Sequence, residues 1–409
     1  MSIDPTAFDH VVDLVLCTSG TEIDVWDEYV ISLDMLSPGN AWTFAFFRSA
    51  ARRTTWDVIK REVRLGDDVA LSIDNACQLT GRIETIRTEA DRKSGATVIL
   101  SGRDLAGPAM DFDADPTFTV RNLTLGEALP QVFGPLGIPV RVVDSAADVR
   151  VTSGRARGPR ATSRTAPRTV VVDRAHPVPG QRVWQFADSI VSRLGYLCWV
   201  APSADSGLAL VVDVPRSSGA PQYLFSRREI PDGSGAYEGN ILSGCETLSS
   251  RGVPTTVSVF TGSDRGAQLS ARAAVTTINV GLGDPVVTRG LALDPFPAQP
   301  RYVRSQRART RARAGQEASR AILEAMRGFR TYECTVRGHG QTLDEQRLLY
   351  ALNTIARVRD DVCLDAQGRP LDEDMLIVAV EFRRSRSAGT LTRLRLVPLG
   401  SLLIEPESA

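Results

Sequence analysis

Residues 79–113, LTGRIETIRTEADRKSGATVILSGRDLAGPAMDFD, constrain the fold more than any other stretch, because two strand-like runs flank one charged turn. Residues 79–87 supply one strand, residues 89–95 the turn, and residues 96–101 a short β-rich apolar run, which together predict a hairpin. Gly102 then supplies the positive φ that a sharp exit needs, and residues 105–110 abandon the strand pattern. A β-domain is expected to end here and another domain to begin. Upstream, residues 9–17 and 25–33 read as opening strands. The turn Ser37-Pro38-Gly39-Asn40 leads into AWTFAFF at 41–47, and one helical turn at 56–59 precedes a strand at 67–73. So many short strands predict a small barrel or sandwich, with Trp26, Trp42 and Trp56 in its core.

After Asp113 the pattern changes to helix then strand, twice. Thr124-Leu125-Gly126-Glu127 has capping-box spacing, Ala128, Leu129, Val132 and Phe133 form an apolar stripe, and Gly134 to Gly137 end it before a strand at 138–143. In the second unit Trp184, Ala187, Ile190, Val191 and Leu194 recur at helical spacing. Gly195 stands where a terminating glycine belongs, YLCWV is a strand, and LALVVDV another. Between the units, residues 154–168 hold five arginines, no acid and little to bury, which predicts a loop. At 409 residues the chain exceeds what one core serves, so several domains are expected.

From residue 241 the chain is β-like again and echoes its beginning. Leu36-Ser37, a Gly-containing turn and residues 43–47 resemble Leu248-Ser249, a Gly-containing turn and residues 256–260; residues 83–100 resemble 377–396. The matching order predicts two copies of one β-domain with material inserted before the second closes. That material includes an expected long helix at 303–328, whose Arg304, Arg307 and Arg311 share a face. The resulting fold class is α+β and β-rich: two similar small β-barrel domains of tube type plus an inserted helix–strand region. The expected divisions are 1–105 for the first barrel, 106–235 for the α/β domain and 236–300 for the first part of the second barrel. A long helix and strand at 301–345 would pack on the α/β domain, and 346–409 would close the second barrel.

Chemistry-bearing patterns are absent from the sequence. Lysine plus arginine equals aspartate plus glutamate at 48 each, so no overall field draws the chain to nucleic acid or an anionic membrane. The six cysteines form no C-x-x-C pair, and the three histidines, His10, His176 and His339, sit in unrelated sequence contexts. No H-E-x-x-H, G-x-S-x-G or phosphate-binding glycine loop occurs. Asp111, Asp113 and Asp115 open like a calcium loop, but Pro116 and Asn122 stand where the turn glycine and bidentate glutamate belong. The arginine face lacks the aromatic interleaving of a nucleic-acid module. The N-terminus has no basic start or cleavage site, and no apolar run spans a bilayer, so a cytoplasmically made chain without membrane insertion is expected. No catalytic, cofactor-binding or metal residue is nominated.

Five stretches occur in the order seen in the baseplate hub proteins of contractile-tailed phages. They are SGRDLAG with the acids up to 113; TLGEALPQVFGPLGIPV; PGQRVWQFADSIVSRLGYLCWV with DSGLALVV; NILSGCETLSSRGVP; and LDEDMLIVAVEFRRSRSAGTLTRLRLVPLG. The chain resembles the Mu-type tail hub family (late control D-like) over nearly its full length. The resemblance implies a non-enzymatic virion protein of the tail baseplate, assembled in the bacterial host cytoplasm of a phage or prophage. It implies no cofactor and no specific nucleic-acid binding. It further implies a homotrimer between a hexameric tail tube and a trimeric central spike, contacted by baseplate wedge proteins, with two barrels per subunit making a ring of six. A rival reading takes the helix–strand units as similar to LysM modules, making the chain a peptidoglycan-binding or muralytic tail protein.

Overall fold

The computed structural model describes residues 10–49, 53–91, 95–121, 123–143, 175–203, 207–231, 234, 236–249, 256–261, 275–279, 300–305, 318, 321, 324–325, 327–343, 346–365 and 368–403. A first lobe contains β1 (Val12–Leu16), β2 (Glu22–Ile23), β3 (Glu28–Asp34), β4 (Ala41–Phe47), β5 (Asp68–Ile73), β6 (Ala76–Asp91) and β7 (Gly95–Asp104), with α1 (Arg53–Glu62) between β4 and β5. A helix–strand region follows, made of α2 (Gly107–Asp111), α3 (Leu125–Phe133), β8 (Val140–Val142), α4 (Val183–Val191), β9 (Leu197–Ser203) and β10 (Gly207–Asp213). Next come β11 (Tyr223–Glu229), β12 (Tyr237–Gly239) and β13 (Ile241–Leu248). A separate three-stranded sheet consists of β14 (Thr256–Thr261), β15 (Val275–Asn279) and β16 (Pro300–Ser305). The chain returns to the large sheet with β17 (Arg330–Arg337), makes the ribbon β18 (Gly340–Leu343) and β19 (Gln346–Leu349), and ends in β20 (Thr354–Leu364), β21 (Pro370–Ser385) and β22 (Gly389–Pro398).

Fourteen strands share one sheet, and its order repeats. The first lobe runs β3-β4-β7-β6-β5-β1-β2 and the second β13-β17-β22-β21-β20-β11-β12. Taken in chain order within each lobe, both read third, fourth, seventh, sixth, fifth, first, second. Local irregularities correspond as well. β6 is bulged between Ile83 and Thr85 against β7, and β21 between Ile377 and Ala379 against β22. At the matching corner, Gly66 (φ 91°) donates its N–H to the Ile83 carbonyl, and Asn353 (φ 56°) donates to that of Ile377. One pairing differs: β1 is antiparallel to β5, whereas β11 is parallel to β20.

The lobes join where β21 pairs antiparallel with β3, from Ala379 opposite Asp34 to Arg384 opposite Tyr29. Up to Ile377 the same edge of β21 serves β20; beyond the bulge it serves β3. The hydrogen-bonded path ends at β2, β12 and β13, and no ring of paired strands closes among the described residues. The expected barrels are therefore not present as closed hydrogen-bonded cylinders. One apolar core runs through both lobes and the helix–strand region, with Trp26, Trp42 and Trp56 buried in it. A smaller cluster, including Met35, Trp199, Leu376 and Val378, seats β9 over the junction.

Several sequence expectations hold locally. Thr124 Oγ1 accepts from the Glu127 N–H while the Glu127 carboxylate accepts from the Thr124 N–H, so α3 begins in a capping box. Gly137 and Gly195 both end their units with left-handed φ. Others are corrected. The counterpart of β4 is β17, not residues 256–260, which lie in the separate sheet. Residues 303–305 are the end of β16 rather than a helix start; Arg307, Arg311 and the loop 154–168 lie outside the described residues. Within 301–345, β17 sits between β13 and β22 in the large sheet rather than on the helix–strand region.

Gly102 acts through space, not through φ. It remains inside β7, and a Cβ there would lie 1.9 Å from the Arg82 carbonyl oxygen; at Gly81 the Arg103 carbonyl oxygen would be 2.0 Å away. β6 and β7 approach each other too closely at this point for any side chain. The chain leaves the sheet two residues later, at buried Asp104, whose carboxylate accepts from the N–H groups of Asn40 (2.9 Å) and Ala106 (2.8 Å). Burial outweighs those bonds and pushes its pKa up to about 6. The shift contributes stability in acid that is lost as pH rises through 6. Gly102→Ala is expected to cost about 2–3 kcal/mol, the range for overpacking against unyielding atoms, measured by thermal melting. Gly134→Ala, in helical backbone with open space at its Cβ, should leave the midpoint unchanged or raise it slightly.

Candidate assembly interface

The seam between the lobes is apolar on one face and polar beside it. Leu33 stands opposite Val380 and Ile31 opposite Phe382, all buried. Against this seam His10 and His339 meet with ring centroids 4.7 Å apart, both buried. Their sequence contexts are unrelated, as expected, yet the fold makes them one cluster. Thr392 Oγ1 donates its single hydrogen to the Gly338 carbonyl (2.6 Å), so toward His339 Nδ1 at 2.9 Å it accepts, and Nδ1 carries the proton. His339 Nε2 then accepts from the Tyr29 hydroxyl at 2.8 Å. His10 Nε2 faces two donors at 2.8 Å, the His339 backbone N–H and Arg347 Nη2, so it accepts, leaving Nδ1 to donate to Asp74 at 2.7 Å. Both imidazoles are neutral by this hydrogen-bond count. Burial holds the His339 pKa well below the ordinary imidazole value. His10, Tyr29 and Asp74 belong to the first lobe, and His339, Arg347 and Thr392 to the second, so the cluster fastens one to the other.

A second buried polar group organises the far lobe. Asp360 on β20 receives both arms of Arg227 from β11 (2.9 and 2.7 Å) and the Tyr332 hydroxyl from β17 (2.6 Å). Burial disfavours the carboxylate, but bonds from Arg227, Tyr332 and the Val362 N–H outweigh it and hold the Asp360 pKa below its usual value. Gly244 on β13 leaves the room: a Cβ there would meet Tyr332 Oη at 2.5 Å and Asp360 Oδ2 at 2.8 Å. This pair is satisfied within the protein, and the Cys363 thiol 3.7 Å from Arg227 Nη2 is kept protonated, burial and then Asp360 pushing its pKa up to about 11.

The calcium-like acids are likewise engaged. Asp111 binds Arg103, Asp113 binds Arg182 at 2.9 Å, and Asp115 accepts from Thr117 at 2.7 and 2.8 Å. Hydrogen bonds from Arg103 and from Thr117 lower the pKa values of Asp111 and Asp115 respectively. Among the described residues no three His, Cys, Asp or Glu side chains converge as a metal site, and no helix is long and apolar enough to cross a membrane. An open cavity of about 780 Å³ is lined by Arg48, Ser49, Arg53 and Asp91.

What remains exposed is strand edge. Beyond Ile83 the outer edge of β6 has no strand partner among the described residues, and Ile86 on it is exposed. The outer edge of β13 is likewise unpaired by strands among those residues, with Leu242, Cys245 and Leu248 exposed. Tyr237 on β12 and Val362 and Leu364 at the end of β20 add apolar surface to the same lobe. Unpaired edges with apolar side chains are the surfaces a fold leaves for another strand.

The family described as Mu phage baseplate assembly protein GpP-like, N-terminal, matches residues 13–104, which is the first lobe. The first lobe is thus similar to that family's N-terminal domain. No curated protein matches the chain in sequence. Solved structures share its fold. The tail protein from Neisseria meningitidis MC58 aligns with TM-score 0.69 at 20% identity, over 98% of this chain and 99% of its own. The 43 kDa tail protein of prophage MuSo2 from Shewanella oneidensis aligns at 0.67 and 16% identity, over 97% and 100%. Prophage tail protein gp18 from Listeria monocytogenes EGD-e aligns at 0.51 and 12%, over 94% of each. The chain thus joins a GpP-like baseplate domain to a fold shared end to end with phage tail proteins.

The neutral imidazoles make a pH prediction with a defined sign. Unfolded His339 titrates near 6.5, while the folded residue stays neutral, so the unfolded state binds more protons in acid and stability falls as pH drops below about 6.5. Between pH 7.5 and 5 that loss is about 2 kcal/mol for His339. Asp104 works in the opposite direction over part of this range, so the quantity to measure is the difference between wild type and His339→Gln. In urea denaturation that difference should be largest at pH 7.5 and shrink by about 2 kcal/mol at pH 5. A difference independent of pH would contradict the neutral assignment.

Proposed function

We propose that the chain is a structural hub of a contractile phage tail or related injection machine, a virion component assembled as a homotrimer. In this reading it joins the hexameric tail tube to the trimeric central spike and meets baseplate wedge proteins at its periphery. The observation that carries the proposal is the repeated strand order: one chain holds the same seven-strand arrangement twice. Three copies then present six similar lobes around an axis, so a six-fold tube can dock on a three-fold object with little mismatch. Each lobe is one barrel-like unit of tube type, β1 to β7 forming the first and β11 to β13, β17 and β20 to β22 the second. The helix–strand region, α2 to β10, lies between the two in sequence. The GpP-like domain and the tail-protein fold support this assignment.

The proposed role is non-enzymatic. Its support is the state of the polar groups: His10, His339, Asp360 and the acids at 111, 113 and 115 are each committed to partners within the protein. The purified chain should form a trimer in mass photometry, alone or once spike protein is added. Class averages from electron microscopy should show a three-fold ring with six-fold character. Monomer or dimer only, with and without spike, would overturn the hub assignment. Clearing on a peptidoglycan zymogram that survives rigorous purification would replace it with a muralytic one.

A further inference from the structure

We propose that the outer edge of β6 beyond Ile83 pairs with the outer edge of β13 in a second copy of the chain, in the register that β21 and β3 already use internally. The inference rests on the hub reading and names the strands that make its contacts. Its basis is the lobe-to-lobe correspondence. β6 is the counterpart of β21, since both are sixth strands bulged one residue past Ile83 or Ile377. β13 is the counterpart of β3, since both are third strands at the same end of the sheet order. The internal seam joins a sixth strand to a third strand, and among the described residues no strand pairs with the complementary edges, where the Glu246 backbone of β13 meets the Cys363 thiol of its own lobe.

The correspondence fixes the register. Trp42 and Tyr332 both lie one strand away from the bulge, opposite Gly102 and Leu396. Through β3·β4 and β13·β17, Tyr29 then matches Gly244, Val30 matches Cys245 and Leu33 matches Leu248. Through the bulges, Val380 matches Ile86 and Arg383 matches Glu89. The internal pairs Val380·Leu33 and Arg383·Val30 translate into Ile86·Leu248 and Glu89·Cys245 between copies. Exposure supports the translation. Val380 and Leu33 are 1% and 4% exposed within the seam, whereas Ile86 and Leu248 are 38% and 44% exposed where the neighbour is missing. Pairing would cover both side chains and give the two edges the hydrogen-bond partners that edge backbone lacks. The contact is heterologous, because one copy offers β6 and the next β13; it therefore closes a ring when the rotation between copies closes.

Glu89→Cys tests the register against the native thiol. Antiparallel neighbours have Cα atoms about 4.5–5.5 Å apart, within the span a disulfide bridges. Glu89 makes only an exposed ion pair with Arg87, so its loss should leave the subunit folded. Mild oxidation of E89C should give covalent multimers on a non-reducing gel, and Cys245→Ser in the same chain should abolish them. Ile86→Cys with Leu248→Cys, in a C245S background, should cross-link likewise. If the chain assembles by mass photometry but neither set cross-links, or Arg87→Cys links to Cys245 in place of Glu89→Cys, the proposed pairing is wrong while the hub reading stands. A chain that stays monomeric at every concentration, with and without spike protein, overturns both.

Discussion

The antiparallel seam between β21 and β3 is the contact on which the molecule depends. Without it the chain would be two seven-stranded lobes tied by a helix–strand region, each with an additional edge open to solvent. The bulge after Ile377 makes the seam available: one edge of the strand pairs with its own lobe for its first half and with the other lobe for its second, while the opposite edge stays on β22. A straight strand would have to choose. The local geometry of a single extra residue thus sets the relation between two lobes of the large sheet.

Polar groups then make that relation specific. Apolar pairs such as Val380 with Leu33 tolerate sliding along a seam, since hydrophobic contact is non-directional. The four ring nitrogens of His10 and His339 do not, because each meets partners of the correct donor or acceptor character. A slip would leave buried donors facing donors, at a cost of about 1–3 kcal/mol for each unsatisfied group. Asp360 has the same effect within the second lobe, binding β11 to β17 across the interior through Arg227 and Tyr332.

Short-range features were legible in the sequence, and long-range ones were not. The hairpin at 79–101, the capping box at Thr124 and the glycine stops at 137 and 195 depend on neighbouring residues, so spacing alone reveals them. The second echo, 83–100 against 377–396, also held, because a bulged hairpin keeps its pattern within one stretch. The first echo failed because the counterpart of β4 is displaced beyond an insertion, while β14 resembles β4 in composition without sharing its place. Gly102 was misread because a backbone approach to Arg82 leaves no mark on the local pattern. His10 and His339 are 329 residues apart, and nothing in either context announces the other. The strand edges that carry the assembly reading were visible only once the order of strands was known.

Gly244 has a bearing on how the two halves of the chain can change over generations. Its counterpart in the first lobe is Tyr29, whose phenol reaches His339 across the seam. In the second lobe that same position is empty of side chain so that Tyr332, Asp360 and Arg227 can meet. A recombination that copied one half onto the other would either push a phenol into a filled ion pair or strip the seam of its histidine partner. The halves have become heritable specialists. The likeness of the halves remains readable in the order of strands, but at this position neither can serve as a template for the other.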